Sequence, residues 1–166
     1  MPKTRKLALM AMFTAASLIV FVIEAQIPAP IPVPGVKLGL ANIVTLIAMV
    51  MLGRREAGLI LLVRIAMGSM FTGGVSAFIF SIAGGALAYA VMCLTLKLFP
   101  EKLLWVVSVL GAAAHNLGQL AAAIIITKTS SLMLYAPVLL ASAVVTGAFT
   151  GFAAMYLTQR LDKRVG

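Results

Sequence analysis

The sequence predicts an all-α integral membrane protein of six transmembrane helices with both termini cytoplasmic. Three observations predict it. Of 166 residues, 63% are apolar and only 10% charged, with a mean hydropathy of +1.14, against roughly 45–50% apolar and about 25% charged in soluble domains. The apolar residues form long blocks between charged or Pro/Gly breaks, giving spans at about 6–27, 37–52, 57–71, 75–98, 103–127 and 134–159. The basic residues collect on one side of those spans. With the amino terminus inside, the inner segments hold Lys3, Arg5, Lys6, Arg54, Arg55, Lys97, Lys102, Arg160, Lys163 and Arg164, and the outer loops hold only Lys37 and Lys128, as the positive-inside rule requires. The net charge of +9 therefore reads as topology in a lipid bilayer and not as a nucleic-acid surface. Residues 1–166 read as one multi-pass transmembrane domain.

The first span follows Lys3, Arg5 and Lys6. It is longer than a signal-peptide core and lacks a small-x-small cleavage site, so it reads as a retained helix. Pro28, Pro30, Pro32 and Pro34 precede Gly35; proline has no amide donor and fixes φ, and the segment is longer than a turn requires. An extended apolar cap over the outer face is expected there. The second and third spans are short, about 23 Å at 1.5 Å per residue against a core of about 30 Å. They must be shielded by neighbours or continued by irregular backbone. The last three spans are long enough to cross unaided. Small residues recur at every fourth position, as Ala77, Ser81 and Gly85 and as Ala143, Gly147 and Gly151, forming grooves in which another helix backbone approaches closely. Ala11 and Ala15 repeat the spacing on the first helix, and leave open whether that face is internal or meets a different protein.

An ionisable group at mid-membrane costs roughly 2.5 to 3.5 kcal/mol on insertion scales, and Arg64 sits in the middle of the third span. It must face the bundle interior or a hydrated pocket. His115, Asn116 and Gln119 fall within about a 100° arc of the fifth helix, Asn42 and Thr45 belong to the second, and Glu24 and Lys37 lie near the outer rim. Counted from the outer ends, Asn42, Arg64 and Gln119 lie about 8–12 Å deep and His115 about 18 Å. Such groups can converge on an outward-facing cavity whose positive charge suits a carboxylate or phosphate. The alternative is an Arg64–Glu24 pair, with the His/Asn/Gln stripe tying helices together.

Catalysis is not expected. Ser69, Ser76, Ser81 and His115 lack an acidic orienting partner at matching spacing, and no GxSxG segment occurs. Cys93 is the single cysteine, and Glu24, Glu56, Glu101 and Asp162 are too scattered to hold a metal. No cofactor is expected.

The segments Pro34-Gly-Val-Lys37-Leu-Gly39-Leu-Ala-Asn42, Arg64-Ile-Ala-Met-Gly68-Ser69 followed by Gly73-Gly74, Ser81-Ile-Ala-Gly84-Gly85 and His115-Asn116-Leu-Gly118-Gln119 resemble the bacterial Gx transporter family, often labelled heptaprenyl diphosphate synthase component I. More remotely the chain is similar to the substrate-binding S components of energy-coupling factor (ECF) vitamin transporters. The S-component resemblance implies a six-helix protein of the bacterial inner membrane that binds a vitamin-like solute beneath the loop joining helices one and two. It further implies that Ala11 and Ala15 meet a transmembrane coupling subunit driven by cytoplasmic ATPases. The expected solute-binding set is Glu24, Lys37, Asn42, Arg64, Ser69, His115, Asn116 and Gln119. The synthase label implies instead a membrane accessory in isoprenoid or quinone metabolism, because prenyl elongation needs aspartate-rich magnesium sites that four scattered acids cannot form.

Overall fold

The computed structural model describes residues 2–27, 37–72 and 74–165, with side chains described for 2–27, 37–71 and 74–160. Among these, the helices are α1 (Lys3–Gln26), α2 (Asn42–Met51), α3 (Arg54–Thr72), α4 (Gly74–Leu98), α5 (Leu104–Thr127) and α6 (Ala136–Val165), with 3₁₀ turns at Glu101–Leu103 and Ser130–Tyr135. No strand occurs among the described residues. α1, α4, α5 and α6 lie in segments long and apolar enough to cross a membrane, and the chain is a membrane protein on that ground. The expected proline cap at residues 28–35 lies outside the described residues.

Two helices differ from expectation. α3 is not short: it begins at Arg54, directly after Gly53 at φ 103°, and runs 19 residues, about 28 Å. Arg54, Arg55 and Glu56 look like a break by hydropathy, yet they form the helix's first turn, where Glu56 complements the positive end of the dipole and pairs with Lys6 of α1. α2 is shorter than expected. Residues 37–41 are non-helical or turn backbone and the helix starts only at Asn42, for ten residues, about 15 Å. Residues 44–49 are all buried, so α2 is enclosed by its neighbours, the arrangement open to a helix too short to span alone.

α5 packs between α4 and α6, α1 lies against α3, and α2 is held against α3 and α6. The Ala143, Gly147 and Gly151 row sets the approach of α6 to α5, and Gly118 that of α5 to α4, whereas Gly85 meets the side chains of Ile65 and Leu61. A Cβ on Gly147 would lie 2.6 Å from Val109 Cα, one on Gly151 would lie 2.5 Å from Trp105 Cα, and one on Gly118 would lie 2.6 Å from the Ala83 carbonyl oxygen. These neighbours are backbone atoms and cannot rotate away. Leu46, Met49, Ile60, Met92 and Val107 belong to one buried apolar cluster around α2. Ala11 and Ala15, by contrast, are exposed. Gly151→Leu is therefore expected to force α5 and α6 apart and to destabilise by about 1–3 kcal/mol or more. Ala15→Leu should stay within about 0.5 kcal/mol. Thermal unfolding of the detergent-solubilised variants compares the two, and equal effects would remove the close-approach reading of Gly151.

Candidate functional site

The polar side chains gather where α1, α3, α4 and α5 meet residues 37–41. Glu24, on the last turn of α1, is 4% exposed, and its carboxylate accepts the amide N–H of Gly39 and, at 3.4 Å, that of Ala41. Glycine is required at 39 for two reasons. Its φ is 77°, a region that L side chains avoid, and a Cβ there would stand 2.9 Å from His115 Cδ2. At the other end of the segment the Lys37 amide donates to Gln119 Oε1 at 2.9 Å. One side chain from α1 and one from α5 thus hold the backbone that leads into α2.

Two cations converge on the same aromatic ring. Lys37 Nζ is 3.7 Å from the Phe21 centroid and Arg64 Cζ is 5.7 Å from it, both within cation–π range. Gly68, one turn past Arg64, admits the ring, since a Cβ there would lie 2.6 Å from Phe21 carbons. Arg64 is 2% exposed and makes no ion pair among the described residues, and its Nε has no hydrogen-bond partner. The Arg64–Glu24 pair that sequence allowed does not form, because the Glu24 oxygens are turned to backbone amides. Lys37 Nζ, His115 Nδ1 and Gln119 Nε2 are likewise buried without a partner, whereas buried polar groups are as a rule hydrogen-bonded.

Phe21, Glu24, Lys37, Gly39, Arg64, Ser81, His115 and Gln119 enclose a cavity of ≈ 10 Å³, roughly enough for one water. α4 closes it from the side. Gly84 lets α4 approach, since a Cβ there would lie 2.8 Å from Gln119 Cγ and 2.9 Å from His115 Nδ1.

Of the eight residues singled out in the sequence, Glu24, Lys37, Arg64, His115 and Gln119 line this cavity. Asn42 adjoins it, its Nδ2 lying 3.1 Å from where a Cβ on Gly39 would be, with both amide atoms unpartnered. Asn116 points elsewhere: its Nδ2 donates to the Leu139 carbonyl of α6 at 2.8 Å. Ser69 Oγ donates to Ala66 O of its own helix at 2.9 Å and does not line the cavity. The stripe on α5 therefore serves two purposes, tying α5 to α6 through Asn116 and facing the cavity through His115 and Gln119. Phe21 and Ser81 were not anticipated as lining residues. The available signals were that Phe21 lies three residues before Glu24, on the same helix face, and that Gly68 follows Arg64 by one turn.

In their ordinary charge states the cavity walls carry two cations, Lys37 and Arg64, to one carboxylate that is already bonded. The unpartnered Arg64, Lys37 and Gln119 donors call for acceptors, and a guanidinium beside an ammonium suits a carboxylate or phosphate. The chemistry on offer is recognition of an anion.

A family model described as heptaprenyl diphosphate synthase component I matches residues 13–157. No curated protein and no solved structure matches the chain.

Proposed function

We propose, from the premise that the chain belongs to the heptaprenyl diphosphate synthase component I family, that it is a non-catalytic membrane subunit that captures a small anionic solute for transport. The observation that carries this reading is Arg64, 2% exposed and without an ion pair among the described residues. A buried unpaired cation is costly, and a bound anion is what would offset that cost. In this reading the chain crosses the cell membrane six times, the second crossing made by α2 together with the non-helical backbone of residues 37–41, the amino terminus is cytoplasmic as the basic residues require, and the cavity belongs to the outer half. Small-molecule clefts occupy about 300–1,000 Å³, so the ≈ 10 Å³ cavity is a closed state. Displacing residues 37–41 from Glu24 and Gln119 would open it. The exposed Ala11 and Ala15 face is then the docking surface for a transmembrane coupling subunit, and cytoplasmic ATPases supply the energy that this chain has no motif to harvest.

The family description favours a second reading, in which the chain is the membrane component of a prenyl diphosphate synthase and the same cavity holds the head group of an isoprenoid. Native mass spectrometry of the protein gently extracted from its own membranes separates the two. The transport reading expects a water-soluble carboxylate or phosphate that Arg64→Met fails to retain. A prenyl diphosphate or quinone lost on Arg64→Met would carry the second reading, and small molecules retained equally by both forms would overturn either use of the cavity.

A further inference from the structure

The Arg64 cavity is chemically two-sided. On one side are the charges: Lys37 Nζ and Arg64 Cζ approach the Phe21 ring at 3.7 and 5.7 Å, and Arg64 Nη2 reaches α4 at Gly85, 3.8 Å from where a Cβ would stand. On the other side are neutral hydrogen-bonding groups. Gln119 Cγ and His115 Nδ1 lie 2.8 and 2.9 Å from the point a Cβ on Gly84 would occupy, and His115 Cδ2 and Asn42 Nδ2 lie 2.9 and 3.1 Å from the corresponding point on Gly39. His115 thus joins Gln119 to Asn42 in one row of amide, imidazole and amide.

The charged side sets the charge of a ligand. Lys37, Arg64 and Glu24 in their ordinary states leave the cavity wall one positive charge in excess. A single carboxylate brings that excess to zero. A phosphate monoester, at about −1.5 to −2 near pH 7, would leave negative charge over in a buried place, where an uncompensated charge is costly.

The neutral side sets what else the ligand carries. Asn42 is 8% exposed, and both its Nδ2 and its Oδ1 lack a partner, so a donor and an acceptor stand open side by side whichever way the amide is turned. Their complement is the cis N–H/C=O edge of a lactam or a uracil-type ring, which an amide side chain meets with two parallel hydrogen bonds. Gln119 Oε1 is taken by the Lys37 amide, and the free Nε2 has room for one further carbonyl. A plain carboxylate would satisfy the cations and leave these buried atoms unpaired, which is unfavourable.

We propose that the solute is a monocarboxylate bearing a cyclic amide edge, its carboxylate on Arg64 and Lys37 and its N–H/C=O pair on Asn42. The proposal rests on the anion-capture reading above and names the chemistry of that same cavity once residues 37–41 have moved aside. Arg64 then recognises the charge, and Asn42 sets which carboxylate is accepted.

The test is calorimetric titration of the full chain in phosphatidylcholine nanodiscs. Orotate and pyroglutamate each join one carboxylate to a cis-amide ring. Uracil has the edge without the charge, benzoate the charge without the edge, and phenyl phosphate a larger charge without the edge. The tighter of the two ring carboxylates should bind about tenfold or more better than uracil and than benzoate, the scale of two added hydrogen bonds, and benzoate should bind better than phenyl phosphate. Asn42→Leu, and the smaller Asn42→Ala, should erase the preference over benzoate, and Arg64→Met should erase the preference over uracil. Benzoate equal to both ring carboxylates would overturn the amide edge, and phenyl phosphate at or above benzoate would overturn the single charge; either result leaves anion capture standing. Ring carboxylates held equally well by Arg64→Met would overturn anion capture itself. Absence of binding by all five probes at millimolar concentration would overturn the inference, while native mass spectrometry of Arg64→Met still decides the wider reading.

Discussion

Arg64→Met is expected to stabilise the ligand-free protein by about 1–4 kcal/mol while abolishing its response to an anionic solute. Both effects follow from one environment. The guanidinium is buried among α1, α3 and α4 with its nearest aromatic face 5.7 Å away, and Glu24, the one carboxylate lining the cavity, is committed to Gly39 and Ala41. Removing a charge from such a place removes its desolvation cost, and the thioether chain of Met fills irregular space against Phe21. In the wild-type protein a solute at one hundred times its Kd should add about 2.7 kcal/mol to stability by mass action; the variant should show no increment. Thermal unfolding in detergent, with and without the solute recovered by mass spectrometry, reads both quantities. A destabilised variant would make Arg64 a structural tie between helices, and an undiminished solute response would sink the anion site. Arg64→Lys keeps the charge but loses the planar fork, and should fall between.

Much of this arrangement was legible in the sequence, and the parts that were not have identifiable causes. Long apolar blocks separate α1, α4, α5 and α6 cleanly, because a span of that length in lipid has little choice but helix. The start of α2 was not legible. Leu38, Leu40 and Ala41 are as apolar as the helix that follows, and hydropathy does not distinguish buried irregular backbone from buried helix; only Gly39, with its positive φ, marks the difference. The start of α3 failed in the opposite sense, since Arg54, Arg55 and Glu56 are strongly polar yet helical. The cost of placing Arg64 in a membrane singled out a residue that is 2% exposed and lines the cavity. Helical spacing put His115, Asn116 and Gln119 on one arc, but the arc spans two neighbours, and which residue faces α6 depends on the rotation of α5. Phe21 was hidden because one more apolar residue on an apolar helix carries no signal of its own.

Glu24→Ala is expected to cost about 2–3 kcal/mol, since hydrogen bonds to a charged group contribute about 1.5–3 kcal/mol and one carboxylate here serves two amides. Those amides stand at the entrance to α2, which follows at Asn42, where the helix dipole adds to their preference for negative charge. Glu24 is thus the chain's own anion at a place built for one. With the carboxylate gone, Gly39 and Ala41 lose their acceptor while Lys37 and Arg64 remain, and the cavity becomes more positive as well as larger. Acetate added to Glu24→Ala should therefore restore part of the lost thermal stability, because a free carboxylate can occupy the same amides. Neutral acetamide should do so far less. Glu24→Gln, which keeps an acceptor but not the charge, should lie between wild type and alanine and respond weakly to acetate. If Glu24→Ala unfolds at the wild-type temperature, the amide contacts contribute nothing and residues 37–41 are held by Gln119 alone. If it is destabilised but indifferent to acetate, the positive field at this end of the bundle is weaker than the two unpaired cations imply.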